Sequence, residues 1–294
     1  MKLHYSFIFI VVLAVVITAC APAAPAPETA LPPAAETAAP TTAPPAAQPL
    51  TPAPQELTFQ AADGQELVGK YWPGAANPSP LIILMHWAPG DQRDYSHLAP
   101  WLQNRGQMPP EAGSQPFKQP DWFPKLAEGQ SYAVFTFSFR GCDYQCTQFV
   151  RDLWLLDAQA AADFAASLPG VDPQRIVMAG ASIGADGAAD ACLYLNQKTP
   201  GACKGAFSLS PGNYLTLDYA ETVNDLSKME PPVPAWCIYA AQDAESAPAC
   251  QAAGGAAYRG VEYAGSAHGM MFITPETDPS ALQLLLDLLA AVLP

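Results

Sequence analysis

Beyond residue 56 the chain's apolar positions follow two rhythms, short unbroken runs and longer stretches at helical spacing. Residues 57–72 carry two alternating segments on either side of Asp63-Gly64, a dipeptide that favours a tight antiparallel hairpin. Residues 81–85 are wholly apolar between Pro80 and His86, as a strand buried on both faces requires, and residues 132–139 repeat the pattern. Residues 151–168 change period: Leu153, Leu156, Ala160 and Phe164 fall on one helical stripe, and Pro169-Gly170 ends it. The alternation then continues with strands at 175–179, 205–210, 235–240 and 259–263, and helices at 183–197, 247–254 and 281–293. Alternating strands and helices imply right-handed crossovers. The expected fold is therefore α/β, a mostly parallel central sheet with an antiparallel N-terminal hairpin and helices on both faces. Residues 104–121, rich in Pro, Gly and Gln, read as a surface insertion.

The first 55 residues follow neither rhythm. Lys2 precedes an apolar run at 7–17, then Thr18-Ala19-Cys20. A short basic start, an apolar core and small residues at the end form an export signal, and the run is too short to span a membrane comfortably. The Ile17-Thr18-Ala19-Cys20 tetrapeptide resembles the bacterial lipobox, in which cleavage precedes a cysteine that receives a diacylglycerol. Residues 21–55 are almost entirely Ala, Pro and Thr, with Glu28 and Glu36 as the only charges. Such a segment buries too little apolar area to offset its chain entropy, and prolines hold it extended. Three regions follow: a signal over 1–19, a lipidated Cys20 with a tether over 20–55, and a folded domain over 56–294. The expected location is the cell envelope, outside the cytoplasm and anchored to a bacterial membrane.

A formal charge of −14 disfavours nucleic acid as a partner, because phosphate contacts need a basic face. Setting Cys20 aside leaves Cys142, Cys146, Cys192, Cys203, Cys237 and Cys250. An even count in an exported chain suggests three disulfides. Sequence alone admits fifteen pairings of six cysteines, and proximity favours 142–146, 192–203 and 237–250. Four histidines and no Cys-x-x-Cys pair argue against a metal site. No cofactor is implied.

Gly180-Ala181-Ser182-Ile183-Gly184 places a serine between an apolar strand and a small-residue helix. That strand–turn–helix is the setting of a nucleophile elbow, where missing Cβ atoms permit a strained turn and helix amides face a developing oxyanion. An acid and a base are then required, because a serine hydroxyl is a poor nucleophile at neutral pH. Asp243 follows a buried strand and His268 lies in the loop before the final helix, so the order Ser, Asp, His is satisfied. Glu245 is a rival acid, and Asp243 alternatively caps a helix. His86 is the rival base; His4 lies in the signal and His97 in an early helix. Met270, Met271 and Phe272 either line an acyl pocket or pack the core.

Around His86-Trp87-Ala88 the chain resembles the α/β-hydrolase superfamily, whose members carry a His-Gly-x type loop at this point. The likeness extends over about residues 56–294 and is greatest to dienelactone-hydrolase-like esterases, on Leu209-Ser-Pro-Gly-Asn-Tyr214, the Phe139-Arg140-Gly141 turn and the lack of a large lid insertion. It implies a serine esterase with Ser182, Asp243 and His268 as triad. The implied oxyanion donors are the amides of Ala88 and Ile183. Trp87 stands where glycine is usual, so Trp87 is the alternative donor. His86 and Arg140 are then loop organisers. The implied partner is a small-molecule ester or acyl compound, met by a monomer. An inert binding domain of the same fold and a peptidase are the competing readings.

Overall fold

The computed structural model describes residues 48–107 and 120–293. The signal, Cys20, most of the tether and the centre of the 104–121 insertion lie outside the described residues. The chain order is β1 (Gln55–Gln60), β2 (Glu66–Trp72), β3 (Ser79–Met85), α1 (Leu98–Gln103), β4 (Ala133–Phe137), β5 (Cys142–Asp143) and β6 (Gln145–Cys146). It continues through α2 (Arg151–Ala166), β7 (Val171–Ala181), α3 (Ile183–Lys198), β8 (Cys203–Leu209), α4 (Tyr219–Ser227), β9 (Ala235–Ala240), α5 (Ser246–Ala252), β10 (Tyr258–Tyr263) and α6 (Ala281–Val292).

Among the described residues, eight strands form one sheet in the order β1-β2-β4-β3-β7-β8-β9-β10. β1 pairs with β2 and β2 with β4 antiparallel, and every later pairing in this sheet is parallel. The hairpin at Asp63-Gly64 forms as its sequence requires, with Gly64 at φ +85. All of β3 is buried. Its successive side chains separate into two cores: Leu81, Ile83 and Met85 pack with residues of α2 to α5, whereas Ile82 and Leu84 pack with α1 and α6. A two-residue period divided between two covered faces explains the unbroken apolar run.

α2 departs from its expected stripe. Leu153 is exposed, while Trp154, Ala158, Ala161, Ala162 and Ala165 face the sheet. Two things select that face: alanines let the helix approach closely, and the Trp154 indole N–H donates to the Arg140 carbonyl at 3.0 Å. α4 forms between β8 and β9, where the periodicity predicts no helix. The three disulfides join Cys142–Cys146, Cys192–Cys203 and Cys237–Cys250, the pairs favoured by proximity.

Candidate active site

The C-terminal ends of β3, β7, β8 and β9 lead into the loops that build the site, at the place where open parallel sheets bind ligands. Ser182 joins β7 to α3 at φ 52, a left-handed conformation rare for residues with a side chain. Both glycines of the elbow are sterically required. A Cβ on Gly180 would lie 2.0 Å from the Gly184 carbonyl oxygen, and one on Gly184 would lie 2.0 Å from that of Met85. The elbow is therefore pressed against the end of β3, and the Ser182 N–H donates to Leu209 O at 2.8 Å.

Ser182 Oγ stands 2.9 Å from His268 Nε2, and His268 Nδ1 stands 2.7 Å from Asp243 Oδ2. The structure thus brings together all three residues expected from their order in the chain. Asp243 Oδ1 accepts the backbone N–H groups of Glu245 and Ser246, each at 3.3 Å. Both expected roles of this carboxylate coexist: one oxygen serves the start of α5 and the other faces the imidazole. Glu245 is exposed and supplies only a backbone donor. Burial pushes the Asp243 carboxyl up, but hydrogen bonds from His268 and Ser246 outweigh it, so the net shift is downward. An ionised Asp243 fixes the proton on Nδ1 and leaves Nε2 to accept from the serine.

His86 lies elsewhere. It is fully buried; Nε2 accepts the Phe139 N–H at 3.0 Å, so Nδ1 carries the proton and donates to Trp87 O at 2.7 Å. Burial holds it neutral by lowering its pKa to about 4. The Trp87 carbonyl also accepts from Gly90 N–H at 3.1 Å. The C=O and N–H of a trans peptide point in opposite directions, so two donors on Trp87 O fix the direction of Ala88 N–H. Ala88 O in turn accepts from Cys146 N–H at 2.8 Å, which joins this loop to the β5–β6 hairpin. The Trp87 indole N–H donates to buried Asp94 at 2.9 Å. Its ring lies against Gly269, where a Cβ would come within 3.1 Å of it. Ile183 opens α3, and its N–H, at the first helical position, lies ahead of the first intrahelical hydrogen bond.

Arg140 bridges Asp157 and Asp63 and organises its turn as expected. Met270 and Phe272 are buried in the core, and Met271 is exposed. Two neighbours of the imidazole were not anticipated. The Tyr214 ring meets His268 edge-on at 5.9 Å between centroids, and Ser210 Oγ accepts the Gly269 N–H at 2.9 Å. Their one sequence cue is position, just past the strand that follows the elbow helix.

Comparison with solved structures agrees with this architecture. An esterase from Pyrobaculum calidifontis superposes with a TM-score of 0.58 at 17% identity, over 83% of this chain and 88% of that one. A dienelactone hydrolase from Anabaena variabilis ATCC 29413 gives 0.55 at 15% identity, over 82% and 99%. An acetyl xylan esterase from Paenibacillus sp. R4 gives 0.53 at 16% identity, over 82% and 84%. No curated protein sequence matches significantly. The fold is that of the α/β-hydrolases. The family profile described as acetyl xylan esterase (AXE1) matches residues 51–206; the chain belongs to that family and is thereby a carboxylic-ester hydrolase. The match includes Ser182 and ends before Asp243 and His268.

Proposed function

We propose that the protein hydrolyses small-acyl esters through a covalent acyl-enzyme on Ser182. The observation that carries this reading is the continuous hydrogen-bond path from Ser182 Oγ through His268 to Asp243. Ser182 Oγ attacks the ester carbonyl while His268 Nε2 takes its proton. The tetrahedral oxyanion is held by the amides of Ile183 and Ala88. Collapse breaks the bond to the alcohol oxygen, which leaves with the proton from His268. A water then attacks the acyl-enzyme, with His268 as base again, and releases the acid and free Ser182. Ionised Asp243 keeps the imidazole in the tautomer that this sequence needs.

The pinned Trp87 carbonyl supports Ala88 rather than Trp87 as the second oxyanion donor, because it fixes the Ala88 N–H in advance of substrate. Acetyl esters are the substrate class that the family description suggests, with acetylated xylan as the polymeric form. The test is turnover of an acetyl nitrophenyl ester by purified Ser182→Ala. A fall of roughly a millionfold in kcat is expected for loss of such a nucleophile; activity near wild type would reject the acyl-enzyme route. We further propose export and lipid anchoring at Cys20. The support is the sequence of residues 1–20 together with three disulfides, which persist outside the reducing cytoplasm.

A further inference from the structure

One buried carboxylate near the site takes no part in the scheme above. Asp186 lies one turn past Ser182 on α3 and is 1% exposed. Its side chain turns away from its own helix to the segment after β8. Oδ1 accepts Gly212 N–H at 3.1 Å; Oδ2 accepts Tyr214 N–H and, at 3.2 Å, Leu215 N–H. That segment needs such a clamp. Ser210 and Asn213 both adopt left-handed backbone, at φ 55 and 57, without being glycine, and such residues persist only where their surroundings over-determine them.

Residues 210–215 touch the imidazole and its loop directly. Ser210 Oγ holds the N–H of Gly269, the residue after His268, and the Tyr214 ring stands edge-on to the imidazole. The ring is also seated on Gly212, where a Cβ would fall 2.4 Å from the Tyr214 ring carbon bearing the hydroxyl. Asp186 therefore grips the segment at the residues that set the ring's position. Arg151 adds a second hold, its guanidinium donating to Leu215 O at 2.7 Å and to Asn213 O.

We infer that Asp186 is a positioning residue for the ester hydrolysis. Acting through residues 210–215, it holds His268 at hydrogen-bonding distance from Ser182. The inference rests on His268 being the base of the proposed mechanism. Burial pushes the Asp186 carboxyl up to about 7, against the pull of the backbone donors. The geometry explains why an amide is no substitute. Both oxygens face N–H donors, so an asparagine would set its NH2 against at least one of them.

The test uses the folded, disulfide-bonded protein with an acetyl nitrophenyl ester. Asp186→Asn is expected to lower kcat about 10- to 100-fold, the cost of a misplacement away from the chemistry, with KM within about twofold. Gly212→Ala leaves Asp186 in place and displaces the Tyr214 ring; it is the second probe should Asp186→Asn fail to fold. It should lower kcat in the same way with an unchanged thermal midpoint. The double variant should lose no more than the worse single one, because both act through one segment. Wild-type kcat in the folded variants, a loss confined to KM, or fully additive losses would overturn the inference. If Ser182→Ala keeps its activity, the mechanism itself has failed; if it is dead while these variants match wild type, only the role of Asp186 is lost.

Discussion

At the scale of single residues, the site depends on groups held in one protonation state by what surrounds them. Asp243 stays charged because its two oxygens meet three donors, and His86 stays neutral because full burial outweighs the hydrogen bond it donates to Trp87 O. His86 therefore has a pH signature. Its folded pKa is depressed to about 4 from 6.5, so the unfolded chain binds more protons between these values. The stability it contributes is fully present above pH 6.5 and is lost as pH falls through 4. The loss is on the order of 3 kcal/mol, at 1.36 kcal/mol per pKa unit. Buried Asp94 and Asp186, both pushed up to about 7 with burial as the main cause, act in the opposite sense. The comparison is thus between wild type and His86→Gln in urea titrations from pH 7 to 4. The stability advantage of wild type should shrink by most of that amount; an advantage independent of pH would show that His86 is not held neutral.

The same scale shows what was legible beforehand. Ser182 was readable because its glycines are sterically forced by a backbone contact that any such elbow makes. His268 was readable from its place in chain order. The choice of Asp243 over Glu245 was not, because only Ala244 separates a buried side chain from an exposed one. Nor could Tyr214 or Asp186 be found, since their roles depend on β8 and α3 lying side by side.

At the scale of elements, the strands were the most readable part, since two-sided burial leaves continuous apolar runs. Helix α2 forms as its period predicts; Leu156, Ala160 and Phe164 of the predicted stripe pack at the edge of the core, but the most buried face is the one whose alanines allow close approach. Helix α4 was overlooked although Asp218 accepts the Glu221 N–H at its start, and Asp218-x-x-Glu221 is a capping pattern in the sequence. Its buried face, Tyr219, Thr222, Val223 and Leu226, follows helical spacing over less than three turns. The Cys192–Cys203 disulfide ties α3 to β8, the two elements that carry Ser182 and the 210–215 segment. Chain-entropy arguments give a closed loop of this length a value of about 3 kcal/mol. The double variant Cys192→Ala/Cys203→Ala should lose about that much in denaturant unfolding, with ester turnover retained below the transition. Unchanged stability would mean that the bridge constrains nothing the unfolded chain was free to do.

At the scale of the whole molecule, a hydrolase domain follows an Ala/Pro/Thr-rich segment that starts at Cys20. Lipid attachment predicts that cells supplied with radiolabelled fatty acid yield labelled protein in the membrane fraction and that Cys20→Ser removes both the label and the membrane association. Unlabelled wild-type protein would refute the anchor while leaving the enzyme intact. The family establishes ester hydrolysis. The central claim beyond them is that the reaction passes through Ser182. The most direct measurement is the intact mass of the protein after incubation with a fluorophosphonate. The account predicts one adduct per chain, located by peptide mapping at Ser182 and absent from Ser182→Ala. An active enzyme that remains unmodified, or carries its adduct on another residue, would contradict it.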